Sequence, residues 1–371
     1  MEWNLEDIEN ACNKAFKGCL NYLNNDLKNF KSKELSVAFN LGLNKETINA
    51  SASVDENGKY HVVLENAAVK IVFDFYNRIL VNEDFYKIVS GEDKYDREKA
   101  SKYVDLLTEM TIKNILFHEL GHIFNGHVDY IKDIFNKYKQ NGEPRYDVTN
   151  YTLYEINSHA RPYLQPKEWQ AIEWNADDFS ATKMVGLFTY DSNIDEVLIK
   201  NKFHGLLLIV LTLSVMYSLM GMGRKNDSII DFKNMEHLPK RARVKKYIGV
   251  LLAACTKMNE EIKETDILPI EEYVKYSFAI ENWANQYVKQ YWKRENYSTD
   301  NNLEELDEEH ENYYLEVELF YYTLLEKLEK YTYFEVYDEE TKKVAEEIAI
   351  RSFLFKRYGT TEFEYIKFKK K

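Results

Sequence analysis

The chain has 371 residues, with 49 basic against 62 acidic side chains and a formal net charge of −13. A hydrophobic fraction of 45%, with 15% aromatics, excludes a disordered chain, and the acidic balance argues against a nucleic-acid partner, which needs a basic face for phosphates. Cys12, Cys19 and Cys255 form no CxxC pair, which excludes a cysteine zinc knuckle; so sparse a set is no disulfide framework and favours a reducing, cytoplasmic compartment.

The N-terminal residues are acidic and lack the apolar stretch of a secretory signal. Leu5, Ile8, Cys12, Phe16, Leu20 and Leu23 recur at spacings of three and four, which predicts an amphipathic helix over 1–33. Leu35–Leu41, Ile48–Val54 and Tyr60–Leu64 read as short strands, and Asn57-Gly58 between the last two is a hairpin turn signal. These strands predict a small antiparallel sheet. Ala67–Val81 and Arg97–Phe124 read as helices. Residues 128–165, punctuated by Gly142, Pro144 and Pro162, read as a surface insertion or lid. A further helix starts near Pro166 and runs past Ala181.

Residues 203–223 carry no charged side chain, a length sufficient to span a bilayer. His204, Thr212, Ser214, Tyr217 and Ser218 make the segment wetter than a lone span, and a buried core helix is the preferred reading. Membrane association through 203–223 is the alternative. From Glu261 onward there are 26 acidic and 16 basic side chains, with many tyrosines. This region reads as charged amphipathic helices whose tyrosines pack a core, or as a surface that recognises a partner. The expected fold class is α+β, mainly α: a helical segment at 1–33, a main domain at 34–265 with its small sheet on a helical core, and an acidic, Tyr-rich helical region at 266–371.

The chemistry concentrates in His118-Glu119-Leu120-Gly121-His122. Residues four apart on a helix share a face, so two imidazoles reach one metal ion from the same side. Zn²⁺ suits neutral imidazole nitrogen, and Glu119 borders the open position of the ion. The surrounding Thr111, Ile112, Ile115, Leu116, Ile123 and Phe124 are mainly apolar, so this helix is expected to be buried. Two histidines and a glutamate inside it are costly without partners. A catalytic zinc site needs a third protein ligand. His127 is one candidate, beyond a helix stop at Gly126. The metzincin spacing fails, since Asn125 and Val128 occupy the positions where glycine and histidine belong. Glu173 is the preferred candidate, in Glu173-Trp174-Asn175-Ala176-Asp177. Asp177 lies one turn further along the same face and is suited to accept the N–H of a ligating histidine.

This HExxH helix followed by a Glu-x-x-Ala-Asp helix resembles the gluzincin metallopeptidases, especially their HtpX-type branch. His237-Leu238-Pro239-Lys240-Arg241-Ala242-Arg243 is similar to the His-Pro-Pro-x-x-x-Arg stretch of that branch, with Leu238 in place of the first proline. A looser resemblance extends to the Lit-type phage-exclusion peptidases. The resemblance covers 113–250 and implies a zincin-like core and one Zn²⁺ per chain held by His118, His122 and Glu173. It further implies Glu119 as general base, Asp177 orienting a ligand, and a protein or peptide substrate. His237 and Arg243 would stabilise the oxyanion or bind substrate, or else form a helix N-terminus and a structural ion pair. The function expected is a zinc-dependent endopeptidase, with phage defence as one role and membrane-associated quality control as another. The alternative is a non-catalytic zinc-binding sensor or interaction protein, its fourth zinc position closed by His127.

Overall fold

The computed structural model describes residues 4–31, 33–43, 49–140, 150–152, 164–190, 198–220, 233, 238, 242–244, 247–251, 270–293 and 308–334. The chain is α+β and mainly helical. Helix α1 (Leu5–Lys31) buries Ile8, Cys12, Phe16 and Leu23 of the predicted stripe, together with Cys19 and Leu27, while Leu20 is partly buried and Leu5, at the helix start, is exposed.

Strands β1 (Val37–Gly42), β2 (Ala50–Asp55), β3 (Tyr60–Glu65) and β4 (Asn150–Thr152) form one sheet in the order β1-β3-β2-β4. The predicted hairpin joins β2 and β3 in antiparallel register, Val54 opposite Tyr60. The Asp55 carboxylate closes its turn by accepting from the backbone N–H of Asn57 at 2.9 Å and of Lys59 at 2.8 Å. The sheet is mixed rather than wholly antiparallel, because β1 pairs parallel with β3, Val37 opposite Tyr60. A hairpin fixes the pairing of its own two strands and leaves open which edge a third strand takes. Here β3, with Tyr60, Val62 and Leu64 buried, becomes an interior strand.

Helices α2 (Asn66–Ile79) and α3 (Glu83–Ser90) lead to α4 (Arg97–Phe124), the centre of the molecule. Asp96 caps α4, its carboxylate accepting from the backbone N–H of Glu98 at 2.9 Å and Lys99 at 3.1 Å. Such a helix is buried on most faces, and α4 packs against α1, α2, β2 and β3. The stretch read as an insertion begins instead with a regular helix, α5 (His127–Gln140), and contributes β4; most of 141–163 lies outside the described residues.

Helix α6 (Pro166–Tyr190) packs along α4. Helix α7 (Lys202–Met220) is the apolar segment, and 78% of its Phe203–Met220 window is buried inside the protein against α8 (Ile270–Lys293), α4 and α6. Helix α9 (Glu308–Leu328) packs on α6 through Tyr313, Val317 and Tyr321, all buried. The described helices of the acidic C-terminal region thus share one hydrophobic core with the rest of the chain.

Candidate metal centre

Two long helices make the site, and their closeness has a local cause. A Cβ on Gly121 would stand 3.1 Å from the Phe179 ring of α6, tighter than side chains ordinarily pack. Glycine inside the HExxH turn therefore lets α6 lie directly against the histidine face of α4. Glu173 and Asp177, one turn apart on α6, then meet His118 and His122.

The Nε2 atoms of His118 and His122 lie 3.2 Å apart. Glu173 reaches both, Oε2 at 3.3 Å from His118 Nε2 and Oε1 at 3.6 Å from His122 Nε2. Taking one atom from each residue, the three donors lie within 4.8 Å of one another. A tetrahedral zinc ion with bonds of about 2.0–2.2 Å holds its donors about 3.3–3.6 Å apart. The donor chemistry and spacing of His118, His122 and Glu173 fit that ion. A shared proton would satisfy one His118–Glu173 contact and leave the His122 lone pair facing His118; a cation satisfies all three.

Behind His118 stands a buried ion pair. His118 Nδ1 is 2.9 Å from Asp177 Oδ1. Arg243 grips the same carboxylate with Nε at 2.6 Å and Nη2 at 2.7 Å, and its Nη2 lies 3.8 Å from Glu173 Oε2. Tyr217 of α7 donates its hydroxyl to Asp177 and holds its ring 4.4 Å from the guanidinium carbon. Burial by itself would raise the Asp177 carboxyl, but Arg243 and His118 outweigh it and hold it well below the ordinary carboxylate range. Burial would likewise lower His118, but Asp177 and Glu173 push its imidazole up to about 10. His122 stays well below the usual histidine value, chiefly through burial. Burial, reinforced by Glu173, pushes the Glu119 carboxyl up to about 7 against the opposing pull of His118 and Arg243.

No family model, curated protein or solved structure matches the chain. His118, Glu119, His122, Glu173, Asp177 and Arg243 belong to one cluster, all buried except His118, which is partly exposed. His237 lies outside the described residues. His127 is fully buried beside His122, its Nδ1 at 3.0 Å from His122 Nδ1, on the side of that ring turned away from Glu173. It stands apart from the three-donor set.

Some of the supporting residues escape the sequence reading. Asn114, one turn before His118, accepts from Tyr247 Oη at 2.6 Å and donates to Thr212 Oγ1 at 3.2 Å. Ser180 Oγ donates to the Asn114 carbonyl at 2.9 Å. The available signal was a carboxamide within an apolar helical run, on the same face as the histidines. Tyr217 had the same signal, a polar tip inside an uncharged segment, without any indication of its partner.

Proposed function

We propose that the protein is a zinc-dependent endopeptidase, hydrolysing peptide amides at the His118–His122–Glu173 centre. The observation that carries this reading is the convergence of two imidazole Nε2 atoms and one carboxylate at distances suited to a tetrahedral ion, with a second carboxyl, Glu119, between the two histidines in sequence. Among the described residues three protein donors converge, which leaves one position open, the arrangement of catalytic rather than structural zinc. His118 is the ligand whose side chain keeps some exposure, 13% against 2% for His122, so the cluster meets solvent on its side.

When bound, zinc supplies Lewis acidity toward a carbonyl oxygen and acidifies a water. The chain's own residues do the rest. Glu119 holds and moves a proton: its carboxylate takes one from the attacking water and returns one to the departing amine nitrogen. The raised affinity of its carboxyl for protons suits that exchange near neutral pH, while a cation beside it favours the charged form. Asp177 accepts from His118 Nδ1 and keeps its Nε2 lone pair aimed at the donor cluster. Arg243 fixes Asp177. Both guanidinium nitrogens that face the site are committed to carboxylates, which supports a positioning role and argues against direct oxyanion binding.

The test is hydrolysis of a quenched fluorescent casein by zinc-loaded wild type and Glu119→Gln. Wild type should cleave, and the variant should keep its zinc while losing about 10²–10⁴-fold in rate. Equal cleavage by both proteins, or zinc-loaded wild type inert toward casein and toward a random peptide library alike, would overturn the reading.

A further inference from the structure

His127 begins α5, next to the break that ends α4, and its side chain is completely buried. Its Nδ1 faces Nδ1 of His122 at 3.0 Å, with the ring planes steeply inclined at 64°. Between two imidazoles one nitrogen must donate and the other accept. At a zinc centre His122 offers the Nε2 lone pair, which leaves its proton on Nδ1. His127 Nδ1 is then the acceptor, and the His127 proton sits on Nε2. To act as a ligand, His127 would have to pass around the His122 ring to the side of Glu173.

We propose that His127 is a positioning residue for the metal centre: it accepts the Nδ1 proton of His122 and thereby fixes the tautomer and rotation in which His122 presents Nε2. Metal-binding histidines ordinarily give this proton to a carboxylate, carbonyl or water. Here the acceptor is a neutral imidazole. Among the described residues, His127 Nε2 is fully buried without a hydrogen bond of normal geometry, with the Asn175 side chain beside the ring. Asn175 accepts from Asn125 Nδ2 at 2.6 Å and donates to Tyr321 Oη of α9 at 3.0 Å. The support proposed for His122 is thus separate from the Asp177–Arg243 support of His118. The two ligand histidines are held by acceptors of different charge.

The proposal rests on the zinc-centre reading, and the experiment separates the two. Wild type, Glu173→Ala, His127→Ala and His127→Asn are compared for zinc content at saturation, zinc affinity by chelator competition, and the visible spectrum of the cobalt-substituted protein. Wild type without zinc, or Glu173→Ala with undiminished affinity, removes the centre itself. With the centre established, His127→Ala should still bind one ion at saturation with an unchanged number of protein donors, but about 10- to 100-fold more weakly. His127→Asn places an acceptor oxygen near the position of Nδ1 and should recover most of that loss. Should the alanine variant fail to fold, His127→Leu refills the space without an acceptor and takes its place. Affinity within twofold of wild type in the variant lacking the acceptor, or His127→Asn as weak as that variant, overturns the proposal. So does a cobalt spectrum that shows a donor lost.

Discussion

Arg243 and Asp177 are both buried, and the two-pronged contact between them is the main compensation for each charge. Removing one partner of such a pair leaves a charge without compensation in a dry environment, at a cost of about 3–5 kcal/mol. Arg243→Leu should therefore lower the free energy of unfolding by about that amount in urea, while zinc content at saturation stays at one per chain, since no donor is lost. A decrease under about 0.5 kcal/mol would show that the pair has no stabilising role. At this scale the sequence reads well where spacing fixes geometry. His118, His122 and Glu119 are set by one helical turn, and Glu173 and Asp177 by another. It reads poorly where the partner comes from a distant element: Arg243 stood equally as an oxyanion binder and as half of an ion pair, and only its contact with Asp177 favours the second. Tyr217 and Asn114 could not be paired at all, because a polar group in an apolar helix shows that it needs a partner without showing which.

Between elements, the end of α4 is the point where the site and the C-terminal region meet. Gly126 has φ +77°, and a Cβ there would lie 2.5 Å from the Tyr331 carbonyl carbon. Tyr333 donates its backbone N–H to the Phe124 carbonyl at 2.8 Å, and the Phe334 ring stacks on Phe124 with centroids 5.4 Å apart. The left-handed backbone alone costs a non-glycine residue about 1–2 kcal/mol, and the clash with backbone adds to it. Gly126→Ala should destabilise the protein by more than about 2 kcal/mol. It should also weaken zinc binding, because His127 follows directly and its ring must stay in register with His122. Full stability together with wild-type affinity would mean that the α4–α5 junction has slack that its contacts do not show. The sequence marks Gly126 as a helix stop and, in the same way, marks the β2–β3 hairpin through Asn57-Gly58. It gives no sign that residues 331–334 close over that stop, or that β1 joins β3 in parallel, since both depend on chain returning from elsewhere.

Across the described residues, the candidate ligands come from α4 and α6, and their supports from α5, α7, Arg243 and Tyr247. An ion at the centre thus links almost every layer of the core, and its binding energy should appear as folding energy of the entire chain. A ligand that binds only the folded state stabilises it by about 4 kcal/mol at a free concentration 1,000 times its dissociation constant. Zinc at that excess should raise the thermal midpoint by several degrees over chelator-treated protein. Trp169 and Trp174 of α6 are buried near the site, while Trp283 of α8 stacks on Phe85 of α3 at 4.9 Å, far from any ligand in sequence. If the core is one cooperative unit, single-tryptophan variants reporting on α6 and on α8 should melt together, and zinc should shift both midpoints equally. A shift confined to the α6 probes would show that the helices of the C-terminal region fold independently of the metal centre, despite the core they share with it.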